Sequence, residues 1–267
     1  MEDNNAIWGI QKLEANAVAL RRVGPLSIWL ERARDELHYA FSRKESDLGS
    51  AKAAKPEHIE WNRWACGEGE LGLELAPVLP PRPVVVRPAM PLQIMPGHHL
   101  HFFVSIPVYV AGILVASGGE SRVTAFEEPT VVLSNSWYGK PADGTLCYAL
   151  RTRARRSQEE LRRDAHLAIC PLELVNESNN PLLFERVLLR SRFMGMYRGK
   201  QYIWTSGARL VYHGEDPLPE LHYVAGPPAY DEASDCLAEP KEQLKRGMLD
   251  RAMDGIRGGI GKVRNGR

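Results

Sequence analysis

Leu100-His101-Phe102-Phe103-Val104-Ser105-Ile106-Pro107-Val108-Tyr109-Val110 is the stretch that decides the fold class. Leu100, Phe102, Val104 and Ile106 recur every second residue, and Val108 and Val110 continue the series. A period of two puts one apolar set on one face of a β-strand, whereas a helix needs a period near 3.6. Leu71, Leu73 and Leu75 alternate in the same way with Gly72 and Glu74. Val84-Val85-Val86 is a short apolar run between prolines, and Pro80, Pro81, Pro83, Pro88, Pro91 and Pro96 bound these runs. Proline lacks the N–H a ladder needs, so it punctuates strands at their ends and edges.

Two further segments extend the pattern. Leu172-Glu173-Leu174-Val175, the turn-forming Asn176-Glu177-Ser178-Asn179-Asn180-Pro181, and Leu182 to Arg190 read together as a hairpin. Leu26 to Phe41 fits two templates. Leu26, Ile28, Leu30 and then Leu37, Tyr39, Phe41 alternate, while Leu30, Ala33, Leu37 and Ala40 lie at helical spacing. Strands on either side favour a hairpin with Arg34-Asp35-Glu36 in its turn. The expected fold is mainly β: an antiparallel β-sandwich, immunoglobulin-like or jelly-roll-like, with a short C-terminal helix. The chain divides by composition into a β segment over 1–48, a sandwich body over 57–239, and a basic amphipathic helix with a flexible tail over 240–267.

Composition narrows the function classes. A chain of 267 residues can bury a core without disulfides or metal. A formal net charge of +1 argues against a globally basic nucleic-acid binder, though not against local basic patches. No run is apolar for long enough to make a membrane-spanning helix, and no cleavable apolar stretch follows Met1 to Asn5, so the expected compartment is the cytoplasm. Cys66, Cys147, Cys170 and Cys236 are scattered and form no Cys-x-x-Cys pair, which reads as free thiols in a reducing compartment. Asn176-Glu177-Ser178 is a glycosylation sequon without meaning there.

Three constellations carry candidate chemistry. His99 and His101 would share one strand face, the geometry by which a His-x-His pair chelates a metal in a cupin-type barrel. That motif has a glutamate a few residues on. Phe102 to Pro107 supplies no carboxylate, and His213 or His222 would have to complete the set. The alternative is a solvated strand start. Arg151, Arg153 and Arg155 lie at two-residue spacing after Leu146 to Leu150, a ladder suited to phosphate or carboxylate oxygens. Arg156, Arg162 and Arg163 extend the charge, and Glu159 and Glu160 partly cancel it. The alternative is a solvated strand end. In the tail, Lys245, Arg246, Arg251 and Arg257 flank an apolar stripe that includes Leu244, Met248 and Leu249, as a helix docking on an anionic membrane or a partner would. A helix packed on the body with a frayed end fits the same residues.

Catalytic signatures are missing. There is no Gly-x-Ser-x-Gly elbow and no Gly-x-x-x-x-Gly-Lys-Ser/Thr phosphate loop, and Gly255, Gly258, Gly259 and Gly261 follow no strand. The adjacent acids Glu127-Glu128, Glu159-Glu160 and Glu215-Asp216 point apart along the chain and read as solvated loop charge.

In order, Pro83 to Pro88, Phe102 to Val108, Leu133-Ser134-Asn135-Ser136-Trp137-Tyr138-Gly139, Gly144 to Arg156, Cys170-Pro171-Leu172, and Tyr197-Arg198-Gly199 leading to Ile203-Trp204-Thr205-Ser206 resemble an archaeal and bacterial family named as domain of unknown function four-three-two. The resemblance spans about Ile7 to Pro228. It implies no established activity and carries no catalytic residues. Some members are encoded near small-conductance mechanosensitive channels, which implies a membrane-associated partner. The leading expectation is therefore a non-catalytic cytoplasmic accessory protein, without a cofactor, binding a protein partner at the inner face of the membrane. The alternatives are a cupin-like metal enzyme using His99 and His101, and a binder of anions or nucleic acid through the arginines.

Overall fold

The computed structural model describes residues 7–44, 58–66, 71–116, 122–214 and 219–242. They are mainly β, in several sheets that are largely antiparallel. By contact the chain divides into two units whose boundaries do not follow sequence order. One takes Met1–Leu79, Pro107–Val132 and Arg163–Leu167; the other takes Pro80–Ile106, Leu133–Arg162 and Ala168–Arg267.

The first unit holds two four-stranded antiparallel sheets. One is a meander of β2 (Val18–Val23), β3 (Leu26–Ala33), β4 (Glu36–Ser42) and β5 (Asn62–Ala65). The hairpin expected over 26–41 is there, with Ala33 opposite Glu36 and Arg34-Asp35 in the turn. Its alternation was blurred for a physical reason: Leu26 through Leu30 are all buried, so β3 is covered on both faces. The second sheet runs in the order β1 (Gly9–Gln11), β6 (Leu71–Val78), β10 (Tyr109–Ala116), β11 (Arg122–Pro129). The sheets meet through an aromatic cluster. The Phe126 ring lies 4.9 Å from that of Tyr39 and 5.0 Å from that of Phe41. Gly112, opposite Phe126 at a register shift, makes this possible, because a Cβ there would stand 2.2 Å from the Phe126 ring.

The second unit is less regular. A four-stranded sheet has the order β12 (Asn135–Tyr138), β13 (Thr145–Thr152), β7 (Val84–Pro88), β16 (Val187–Leu189). A seven-stranded sheet runs β20 (Glu220–Tyr223), β19 (Ala208–Tyr212), β14 (Leu167–Asn176), β18 (Ile203–Thr205), β17 (Met196–Arg198), β21 (Asp235–Ala238), with β9 (His99–Pro107) also on β14. β8 (Leu92–Ile94) pairs with β15 (Leu182–Phe184).

Three of these pairings are parallel: β13 with β7, and β14 with both β18 and β19. β14 meets β18 at Ala168 and Ile169, then β19 from Leu172 onward. Pro171 sits at the changeover, where the ladder is interrupted and a missing N–H costs least.

The hairpin expected over 172–190 does not form. Its two halves are strands, but β15 pairs with β8 and β16 with β7. Fully buried Asn176 redirects the chain: its Nδ2 donates to the Ile94 carbonyl at 2.9 Å and the Asn180 carbonyl at 2.8 Å, and its Oδ1 accepts from the Ser178 hydroxyl at 2.7 Å. Alternation marked both strands correctly, and the turn chemistry was real, but the turn exits toward other partners. An aromatic cluster of Phe103, Trp204, Tyr202 and Tyr197, with Tyr230 packed against it, forms a core region of this unit.

Candidate anion-binding site

The face that gathers unpaired positive charge belongs to the β12-β13-β7-β16 sheet. Strand alternation puts Cys147, Ala149 and Arg151 of β13 on one side of the sheet. Parallel register then sets Ala149 beside Val85 and Arg151 beside Arg87, while Leu188 of β16 lies opposite Val85 and Ser136 of β12 opposite Cys147. Val85, Cys147, Leu188 and Tyr138 are buried together as an apolar floor. The guanidinium carbon of Arg186 lies 5.1 Å from the centroid of the Tyr138 ring, in cation–π range.

The electrostatics of this face are one-signed. Arg87 and Arg151 are both exposed, and neither forms an ion pair with a carboxylate among the described residues. Two arginines side by side on neighbouring strands can bring their guanidiniums to one anion, which offsets the repulsion between like charges. Burial pushes the Tyr138 phenol up, with Arg186 pulling it partly back, Cys147 adding a smaller rise and Arg190 a smaller fall. The phenol is therefore a protonated donor at neutral pH. Its oxygen is buried and has no hydrogen-bond partner among the described residues. Burial likewise raises the Cys147 thiol, against the pull of Arg87 and Arg186. Cys147 donates weakly to the Ser136 carbonyl at 3.5 Å and is a packed thiol, not a poised nucleophile.

The arginine ladder read from sequence is only partly realised. β13 ends at Thr152, and Ala154 takes a left-handed φ of 48°. Arg155 then bridges to Phe103 through its backbone, its carbonyl accepting from the Phe103 N–H at 2.8 Å. Arg153 and Arg155 therefore do not continue the row begun by Arg151, since a ladder at two-residue spacing requires an unbroken strand. Arg87 and Arg186 take their place around the face. Arg87 follows the Val84–Val86 run, and nothing local announces the parallel partner that puts it beside Arg151.

His99 and His101 do share a face of β9, with ring centroids 5.5 Å apart. Their surroundings are those of a surface charge row. Glu173 on β14 lies 3.3 Å from His101 Nε2 and 3.3 Å from Arg209 Nε, and Arg209 in turn sits opposite His222, which lies 3.2 Å from Glu220. His213 is placed with Glu177 at 3.3 Å. Among the described residues no group of three or more His, Cys, Asp or Glu is placed to hold a metal ion. The segment expected to form a C-terminal helix, with Lys245, Arg246, Met248, Leu249, Arg251 and Arg257, falls outside the described residues. The chain leading to them is fastened: the Glu242 N–H donates to the Arg192 carbonyl at 2.9 Å, and its carboxylate lies 3.3 Å from Arg192 Nε. Among the described residues no helix is long and apolar enough to cross a membrane.

A family described as "Protein of unknown function (DUF432)" has a model that matches residues 7–256. The chain belongs to this family. No curated protein and no solved structure matches it. Membership of DUF432 covers both units and the arginine face, and it brings no activity with it.

Proposed function

We propose that this DUF432 protein is a non-catalytic binding protein that docks an anionic group of a protein partner on the Arg87–Arg151 face. The observation that carries this reading is the register pairing of two exposed guanidiniums without a carboxylate between them. Arginine suits the role because its planar fork holds oxygen pairs bidentately and stays charged at any physiological pH. In this reading the protein is an accessory factor in the cytoplasm, and the basic tail from Lys245 to Arg257 provides a second contact, at the inner membrane face.

Fluorescence anisotropy of full-length protein with a labelled acidic peptide at low salt tests the docking face. Binding is expected to weaken as salt rises and to fall at least tenfold in Arg87→Gln/Arg151→Gln. Equal binding by wild type and the double variant would remove the face from the reading. Tighter binding to mixed RNA than to the peptide, with a steep salt dependence, would turn it toward nucleic acid.

A further inference from the structure

We propose that the free edge of β12 takes an extended segment of a partner protein as an added antiparallel strand, and that this segment carries an apolar residue and an acid two positions apart. The side chains of this edge lie on the opposite side of the sheet from Arg87 and Arg151, so it is a second contact and does not rest on the docking reading. β12 ends its sheet and pairs with β13 alone. The Ala149 N–H donates to the Ser134 carbonyl at 2.9 Å, and the Tyr148 N–H turns away to the Pro83 carbonyl on the β7 side, also at 2.9 Å. Antiparallel bonding alternates, so Ser134, Ser136 and Tyr138 bond toward β13, while the N–H and C=O of Asn135 and Trp137 point outward. Outward N–H and C=O groups on an edge are a template for another strand.

The side chains above that edge are exposed and held in place. Asn135 and Trp137 share a face, with Trp137 opposite Leu146 and Asn135 opposite Tyr148. Trp137 is 46 % exposed and Leu146 43 %. The indole is nonetheless fixed: its Nε1 donates to the Lys140 carbonyl at 2.9 Å, and a Cβ on Gly144 would stand 2.2 Å from that nitrogen. A large apolar side chain already held still loses little further freedom when a partner covers it. Edge strands β11, β20 and β21 carry Glu127, Glu128, Glu220 and Asp235, charges of the kind that discourage an added strand, whereas β12 has no charged residue.

Arg82 decides the chemistry of the partner. Its guanidinium donates to Asn135 Oδ1 at 2.9 Å and lies 5.6 Å from the centroid of the Tyr148 ring, so it stands at the Asn135 end of the edge. It forms no ion pair with a carboxylate among the described residues. On an added strand, the residue opposite Asn135 has its Cβ about 5 Å from that of Asn135, which brings an aspartate or glutamate within reach of Arg82. The residue two positions along lies on the same face and packs on Trp137 and Leu146. A second copy of this chain fits less well, because Asn135–Tyr138 contains no acid to meet Arg82.

The probe is a labelled eight-residue peptide in which valine and glutamate alternate at every second position and threonine fills the rest. It is titrated into full-length protein by fluorescence anisotropy, and hydrogen exchange locates it. Binding is expected to slow exchange of the Asn135 and Trp137 amides about tenfold, while the Ser136 and Tyr138 amides, already in the ladder, change little. Lysine in place of glutamate is expected to weaken binding about tenfold, and Arg82→Gln to remove that preference. Methylating the valine and glutamate nitrogens, which face β12, is expected to abolish binding, and methylating the threonine nitrogens to preserve it. Trp137→Ala is expected to lower affinity about tenfold, and Leu146→Thr, which keeps a strand-forming residue, to lower it severalfold.

Equal effects of the two methylation patterns would overturn strand addition. Equal affinity for the lysine peptide would overturn the acidic partner, and unchanged affinity in both Trp137→Ala and Leu146→Thr would overturn the apolar anchor. If the peptide binds with protection around Arg87 and Arg151 and none at β12, the inference fails and the docking reading stands. If neither this peptide nor the acidic peptide of the docking test binds, both fail.

Discussion

Asp231 holds the loop around Tyr230 onto the β17–β18 hairpin with one carboxylate oxygen. Its Oδ2 accepts from the backbone N–H of Gln201 at 2.8 Å, the backbone N–H of Tyr202 at 2.9 Å and the indole Nε1 of Trp204 at 3.1 Å. Trp204 is fully buried and stacks on Tyr230 with ring centroids 5.4 Å apart. In Asp231→Ala the exposed Gln201 amide turns to water, but the Tyr202 amide and the indole are partly buried and lose their acceptor. Hydrogen bonds to a charged group contribute about 1.5–3 kcal/mol each, so those two account for roughly 3 kcal/mol. Asp231 also sits at φ 53°, a left-handed backbone that alanine tolerates less well, adding about 1 kcal/mol. The expected loss is about 4 kcal/mol, which lowers a urea midpoint by more than about 1 M at an m-value of roughly 2–3 kcal/mol/M. Asp231→Asn keeps an oxygen acceptor and the tolerance for left-handed backbone, and neutral bonds are about half as strong, so its loss is about 1–2 kcal/mol. Urea unfolding by tryptophan fluorescence gives the totals, and hydrogen exchange at the Gln201 and Tyr202 amides localises them. A loss below about 1 kcal/mol in Asp231→Ala, or an asparagine variant no milder than alanine, would refute the assignment of one carboxylate as the fastening.

Gly112→Val drives a side chain into the Phe126 ring, whose atoms begin 2.2 Å from an added Cβ, and is expected to cost about 2–3 kcal/mol in thermal unfolding, partly recovered by Phe126→Leu. In a thiol titration of native protein, exposed Cys236 should react, while Cys147 and Cys170 stay silent until denaturant is added. Burial pushes Cys170 up to about 12, so the folded state keeps its thiol neutral, and raising the pH from about 7 to 9 should not open it to reagent. Truncation after Glu242 retains every named strand and is expected to leave the melting temperature within about 2 °C of wild type while abolishing sedimentation with anionic vesicles; unfolding, or unchanged sedimentation, would count against the membrane role of the tail.

What could be read in the candidate site followed the same division as the fold. Arg151 was visible because a strand face continued into a basic residue. Arg153 and Arg155 lie past the end of β13 at Thr152, where Ala154 turns the backbone left-handed and alternation no longer tells which face a residue takes. Tyr138 stood in the sequence as one residue of Asn135-Ser136-Trp137-Tyr138, without any mark that its hydroxyl would be buried among arginines. The His99–His101 pair was placed correctly on one face, but Glu173 and Arg209 come from strands about 70 and 110 residues further along, beyond the reach of a local pattern.

The sequence alone determined that this chain is built from strands, since the period of apolar residues reports which faces of a segment can leave water, and that is local information. It also placed the hairpin over 26–41 with its turn at Arg34-Asp35-Glu36, which the structure tightens to Arg34-Asp35, because adjacent antiparallel strands need only a short link. Tertiary structure alone decided which strands pair. Parallel partners such as β7 with β13, or β14 with β18 and β19, are joined by long crossovers, so their selection depends on packing across the unit and not on any neighbouring residue. The arginine face exists only as a product of that selection: Arg87 and Arg151 are 64 positions apart in the chain, and register makes them neighbours.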